Sequence, residues 1–280
     1  MATKAGAKPW VFDQLPFSDR PGMIIGLHFE KKGNTTIITL IGTMDEWFAK
    51  FNYGIEFIQQ NFEIEQALYA LFTNCIQDFI NANQRNDINH IIVYREGTSE
   101  GQISNLKNIE VSLILNVFKN LLEKNILKKL PSLFYIMANK RNSSKLYNEN
   151  PQTRHINNPE PGTVVDDIIT SGRDFFLVSQ TVFQGTAAPT HYHVVSHYDY
   201  NSQNQYVEMN DTVIQSHLPK LELLTYKMCY MYYNYSGAIR LPAPLKYAEV
   251  LGSMVSKMEN HGNFVKPHNW FEKLKTLFYI

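Results

Sequence analysis

The chain has 280 residues, 44% of them hydrophobic and 19% charged, so it can bury a substantial core and is neither disordered nor fibrous. Its 26 basic residues balance 26 acidic ones, and its two cysteines, Cys75 and Cys229, exclude a disulfide framework and a multi-cysteine zinc site. No apolar run reaches bilayer-spanning length and residues 1–9 lack a signal-peptide hydrophobic region, so a reduced, soluble, intracellular protein is expected, cytoplasmic or nuclear.

The first twenty residues, with Gly6, Pro9, Pro16 and Pro21-Gly22, read as an extended arm. Met23 to Phe29 and Thr35 to Ile41 are β-rich runs around a Lys-Lys-Gly-Asn turn, which predicts a hairpin. Ile64, Leu68, Leu71, Phe72, Cys75, Ile76 and Phe79 recur at helical spacing and predict an amphipathic helix of about five turns. Ile91 to Tyr94 is a short buried strand, Ile109 to Leu127 a second helix, and Leu133 to Ala138 a further strand after Pro131. Asp174 to Gln180 and His191 to His197 pair across a Gly185-Thr186 loop; Leu221 to Tyr233 is a helix. The Leu-Pro-Ala-Pro run at 241–244 is a rigid break, and a last helix restarts at Tyr247 and runs to Met258. Strands alternating with helices, without linker or repeat, predict one α/β domain.

Charge is unevenly spread. Lys119, Lys124, Lys128, Lys129, Lys140, Arg141 and Lys145 face only Glu123 within residues 119–145, a local excess of +6. Such a segment suits a nucleic-acid contact, though solvated helix ends give the same count.

Chemistry is sought at strand ends, where a rigid sheet presents side chains. Glu96 follows the strand Ile-Ile-Val-Tyr-Arg, His28 sits within the first strand, and Glu63 and Glu249 lie near helix starts, where the helix dipole alone would also favour a carboxylate. His191, His193 and His197, spaced by two and four, are expected on one strand face, and three imidazoles can ligate zinc. No Gly-x-Ser-x-Gly elbow, Walker loop or dinucleotide fingerprint is present. Residue chemistry alone stops at an α/β domain with acids at strand ends.

Ile91 to Gln102, IIVYREGTSEGQ, closely resembles the strand-loop signature of Piwi domains, Tyr-Arg-Asp-Gly-Val-Ser-Glu-Gly-Gln. Pro161 to Val195, with GTAAPTHYHVV, is similar to the family's later strand pair. Leu224 to Leu251 resembles its C-terminal helix-break-helix, with the Tyr-Asn-Tyr-Ser-Gly passage nearer to the Piwi clade than to the Argonaute clade. The resemblance runs in order from about residue 2 to residue 280. It implies a ribonuclease-H-like fold, a mixed central sheet flanked by helices, with residues 1–22 as an arm left from a MID–Piwi junction and 23–280 as the Piwi domain.

In slicing members an Asp-Glu-Asp-His (or Asp) set holds two Mg²⁺ and cuts a target RNA paired to a small guide. Here the matching positions are His28, Glu63, Glu96 and Glu249. An imidazole is a poor Mg²⁺ partner, and Glu96 reaches about 1.5 Å further than Asp where a catalytic site tolerates ~0.5 Å. The resemblance thus implies a slicer-dead domain, with no metal assigned to these four positions. It also implies guide contacts at Lys4 and, through the C-terminal carboxylate of Ile280 and a Mg²⁺ beside it, at the guide 5′ end. Lys128, Lys129, Lys140, Arg141 and Lys246 are further expected RNA contacts, while Asn234, Met254 and Ala188 replace backbone-contacting residues of Argonaute-clade members. Two readings follow: a degenerate Piwi domain binding single-stranded or guide RNA, weakly unless a protein partner supplies MID and PAZ function, or a repurposed fold serving as a structural subunit of a larger assembly. No membrane partner is expected.

Overall fold

The computed structural model describes residues 3, 6–59, 63–97, 101, 103–167, 170–259, 277 and 279. The hairpin is β1 (Gly22–Lys32) and β2 (Thr35–Thr43), turning at Gly33 with φ +56°. A third strand that periodicity did not flag, β3 (Phe51–Ile58), extends it. Then come α1 (Glu63–Asn83), β4 (His90–Glu96), α2 (Ile103–Asn105), a π-helical segment Leu106–Val111, α3 (Ser112–Glu123) and β5 (Ser132–Asn139). A small hairpin of β6 (Asn148–Glu149) and β7 (Ile156–Asn157) precedes β8 (Thr163–Val165), β9 (Asp174–Val178), β10 (Thr190–Tyr200) and β11 (Tyr206–Glu208). Helices α4 (Asp211–Met228) and α5 (Ala243–Glu259) end the described elements.

The main sheet has nine strands in the order β3-β2-β1-β4-β5-β10-β9-β8, with β11 on β10. Strands β1, β4 and β5 are parallel to one another; every other pairing in the sheet is antiparallel, so the sheet is mixed as expected. The central strands are apolar without interruption because both faces are covered. On one face Ile24, Ile92, Tyr94 and Ile136 pack with Leu224, Tyr247 and Leu251 of α4 and α5. On the other Ile25, Ile91, Val93 and Met137 pack with Leu68, Phe72, Ile76 and Phe118 of α1 and α3. The arm is not free: Trp10 Nε1 donates to Tyr230 O at 2.8 Å, and its ring meets Tyr233 edge-on at 5.1 Å.

Several boundaries depart from the sequence reading. Helix α4 starts ten residues before Leu221, because Asn210 caps it, accepting from Val213 N at 3.0 Å, and Pro219 is carried inside the helix. Helix α5 begins at Ala243, so the second proline of the supposed break, Pro244, occupies its first turn, where a missing N–H costs nothing. The basic 119–145 segment does not form one surface. Lys128, whose N–H donates to Asn86 O, and Lys129 stand where β4 and β5 begin, whereas Lys140 and Arg141 follow the end of β5. The eight residues of β5 hold the two pairs roughly 25 Å apart.

The three histidines also part company. A register shift between Val194 and Ser196 puts a bulge into β10, and a bulge turns later side chains to the other face. His191 and His193 share Asp174 Oδ1 at 2.9 and 2.6 Å, while His197 stacks on Phe134 at 3.8 Å in the opposite core.

Candidate functional site

Strand β4 runs parallel to both neighbours, so its C-terminal end, the end of β5 and the middle of β1 open at the same edge. Helix α5 crosses this edge. Two glycines permit the approach: a Cβ on Gly26 would overlap the Pro244–Leu245 backbone, and one on Gly252 would lie 2.9 Å from His28 Cδ2.

This geometry gathers His28, Glu96 and Glu249, three of the four positions expected from the sequence, with three further groups, Glu30, Lys140 and Lys246. The His28 ring, only 5% exposed, stands between two carboxylates, its Nε2 3.1 Å from Glu30 Oε2 and its Nδ1 2.5 Å from Glu96 Oε2. The Lys140 ammonium is in direct contact with Glu249 Oε1 and 4.0 Å from Glu96 Oε1. Lys246 Nζ holds the other Glu249 oxygen at 3.2 Å. Two lysines and an imidazole thus face Glu30, Glu96 and Glu249. Burial works to raise both the Glu96 and Glu249 carboxyls. It is outweighed at Glu96 by His28 and Lys140, and at Glu249 by Lys140 and Lys246, so both lie below their usual range.

The fourth position, Glu63, heads α1, where its carboxylate accepts the Gln59 N–H at 2.8 Å. Lys4 and Ile280 lie outside the described residues. A cavity of about 490 Å³ lies beside the arm, lined among others by Thr3, Lys50, Asn52, Asp78, Tyr233 and Leu277. Of the remaining expected RNA contacts, Arg141 is exposed beside the site, whereas Lys140 and Lys246 both point their charge at Glu249.

The sequence reading missed Glu30 and the double role of Lys140. Glu30 was legible: two residues beyond His28 on a strand means the same face. Lys140 was not, because its place depends on β5 ending level with β4. Behind the site a buried pair steadies the strand end. Arg95 lies 3.4 Å from Glu110 of the π-helical segment and 4.2 Å over the Phe29 ring, and donates to the Glu96 carbonyl at 2.7 Å.

A pair of Mg²⁺ ions needs several hard oxygen ligands converging on open space. These residues do not fit that demand: an imidazole stands against Glu96, and an ammonium already lies against Glu249. Among the described residues no group of three or more His, Cys, Asp or Glu side chains is arranged to hold a metal ion.

Comparison with known proteins places these observations. The Piwi domain family model matches residues 1–260. Piwi-like protein 2 of Schmidtea mediterranea is 29% identical over 99% of this chain and 32% of its own length. Piwi-like protein 1 of Gallus gallus is 32% identical over 92% of this chain and 27% of its own length. The crystal structure of Drosophila Piwi superposes with a TM-score of 0.70 at 26% identity, covering 99% of this chain and 34% of that one. A Kluyveromyces polysporus Argonaute solved with a guide RNA superposes at 0.69 with 22% identity, covering 94% of this chain and 31% of that one. The chain thus spans about a third or less of the length of these relatives.

Proposed function

This chain belongs to the Piwi domain family, and we propose that it engages guide RNA, or a complex assembled on guide RNA, without cutting the target. The observation that carries this reading is the position of His28. Where slicing relatives are expected to present a carboxylate, an imidazole is set between Glu30 and Glu96. Removing the central hard ligand of a two-metal site costs orders of magnitude in rate, because the attacking and leaving oxygens lose their clamp. Engagement of RNA is inherited in this reading: the Kluyveromyces polysporus Argonaute of the same fold was solved with a guide RNA. A cytoplasmic or nuclear setting goes with it; no described helix is long and apolar enough to cross a membrane.

Isolating the native protein gently and end-labelling the RNA that accompanies it tests the proposal. A discrete small-RNA size class is expected. No RNA, with a stable protein complex in the same fraction, would favour a second reading, a Piwi fold used as a structural subunit. That reading draws on Phe183, 91% exposed, on a loop whose carbonyls at Val182 and Gly185 accept from the Asn158 amide.

A further inference from the structure

We propose that Lys140 is the resident cation of this site, its ammonium doing for Glu96 and Glu249 the electrostatic work that a divalent ion would otherwise do. The inference rests on the non-cutting reading above and deepens it. Glu96 ends β4 and Glu249 lies on α5, so two half-buried carboxylates from separate elements converge on one edge of the sheet, 25% and 22% exposed. Like charges so placed repel unless a cation stands between them. Lys140 supplies it, reaching from the first residue after β5 to touch Glu249 and approach Glu96 to 4.0 Å. Lys246 balances the far oxygen of Glu249 at 3.2 Å, and the His28 ring stands against the far oxygen of Glu96 at 2.5 Å. The ammonium is tethered, so the cluster needs no ion from solution and ties β4, the end of β5 and α5 together permanently.

The consequence is an exchange that can be measured. Without the ammonium, Glu96 and Glu249 are left facing each other with room for a cation, and a divalent ion should then be taken up. Thermal unfolding of the full chain in EDTA and in millimolar MnCl₂ reads this out for wild type, Lys140→Met and Lys140→Met with Glu249→Gln. Wild type should be indifferent to Mn²⁺. Lys140→Met should melt lower and recover by about 3 °C or more in Mn²⁺. The double variant, which no longer has two facing carboxylates, should not recover. Lack of recovery in folded Lys140→Met would overturn the proposal. Should that variant not fold, the free-Mn²⁺ electron paramagnetic resonance signal decides with native protein. Wild type should leave the signal intact, and stoichiometric uptake that Glu249→Gln abolishes would overturn the proposal. Metal-dependent cutting of a guided target by wild type would instead overturn the non-cutting reading. Absent cutting together with no gain of Mn²⁺ by Lys140→Met would leave that reading standing and remove this one.

Discussion

Glu249 occupies two ammonium groups that the sequence assigns to RNA, and the cost of that arrangement can be worked from the structure. Lys140 contacts one of its oxygens and Lys246 lies 3.2 Å from the other, so an RNA phosphate must compete with this carboxylate for both. The Glu249→Gln substitution keeps the shape and removes the charge. Each lysine freed to neutralise a phosphate steepens the dependence of log affinity on log salt by about 0.7 for a single strand, or ~1.4 for both. Glu96, 4.0 Å from Lys140, retains part of its hold, so the change should fall between the one-cation and two-cation values. At the upper value, raising salt from about 50 to 200 mM should weaken the variant roughly sevenfold more than wild type, with the variant the tighter binder at low salt. Fluorescence anisotropy of a labelled single-stranded RNA across that salt range measures the slope. A folded Glu249→Gln protein that binds RNA with the wild-type slope would refute the idea that Glu249 masks these cations.

Three further outcomes follow from packing and protonation. Gly26→Ala should destabilise by about 3 kcal/mol, near the upper end for overpacking, since its Cβ would overlap backbone of α5 rather than a side chain that can move; a urea-unfolding loss below ~1 kcal/mol would contradict this. His90 and His197 are pushed down to about 4, by burial above all, so folding favours their neutral forms; the stability this gives is held above the ordinary histidine value near 6.5 and lost as pH falls towards 4, and His197→Gln should flatten part of that fall in urea midpoints. Burial works to raise the Asp174 carboxyl but is outweighed by His191, His193 and Ser171, which hold it far below its usual range; its contribution is present above the unfolded carboxyl value near 3.8 and fades below it, so Asp174→Asn should cost stability at pH 7 and much less in strong acid.

The sheet was largely legible because its central strands carry unbroken apolar runs, which only a two-sided cover explains, and α1 because its apolar positions keep helical spacing. Elements were missed where the local signal is weak or misleading. Strands β8 and β11 are three residues each, too short for a period. Helix α4 is expected only from Leu221, whereas its cap, Asn210, stands eleven residues earlier and Pro219 is carried inside the helix. At the site, the identities of His28, Glu96 and Glu249 could be read by resemblance, and the pairing of His28 with Glu30 by strand alternation. The lysine between the acids could not be read, because Lys140 meets Glu249 across 109 residues and only the order of β1, β4 and β5 brings them together. The same order divides the basic segment, whose charges are neighbours in sequence but stand at opposite ends of β5.

In the reading proposed above, this Piwi domain binds without cutting. The most direct test loads the native protein with a guide, adds a labelled complementary RNA in Mg²⁺ or Mn²⁺, and follows the target through many hours. An intact target is predicted, with wild type and Glu96→Ala indistinguishable. A single cut within the paired region, dependent on the metal and abolished by Glu96→Ala, would contradict the account.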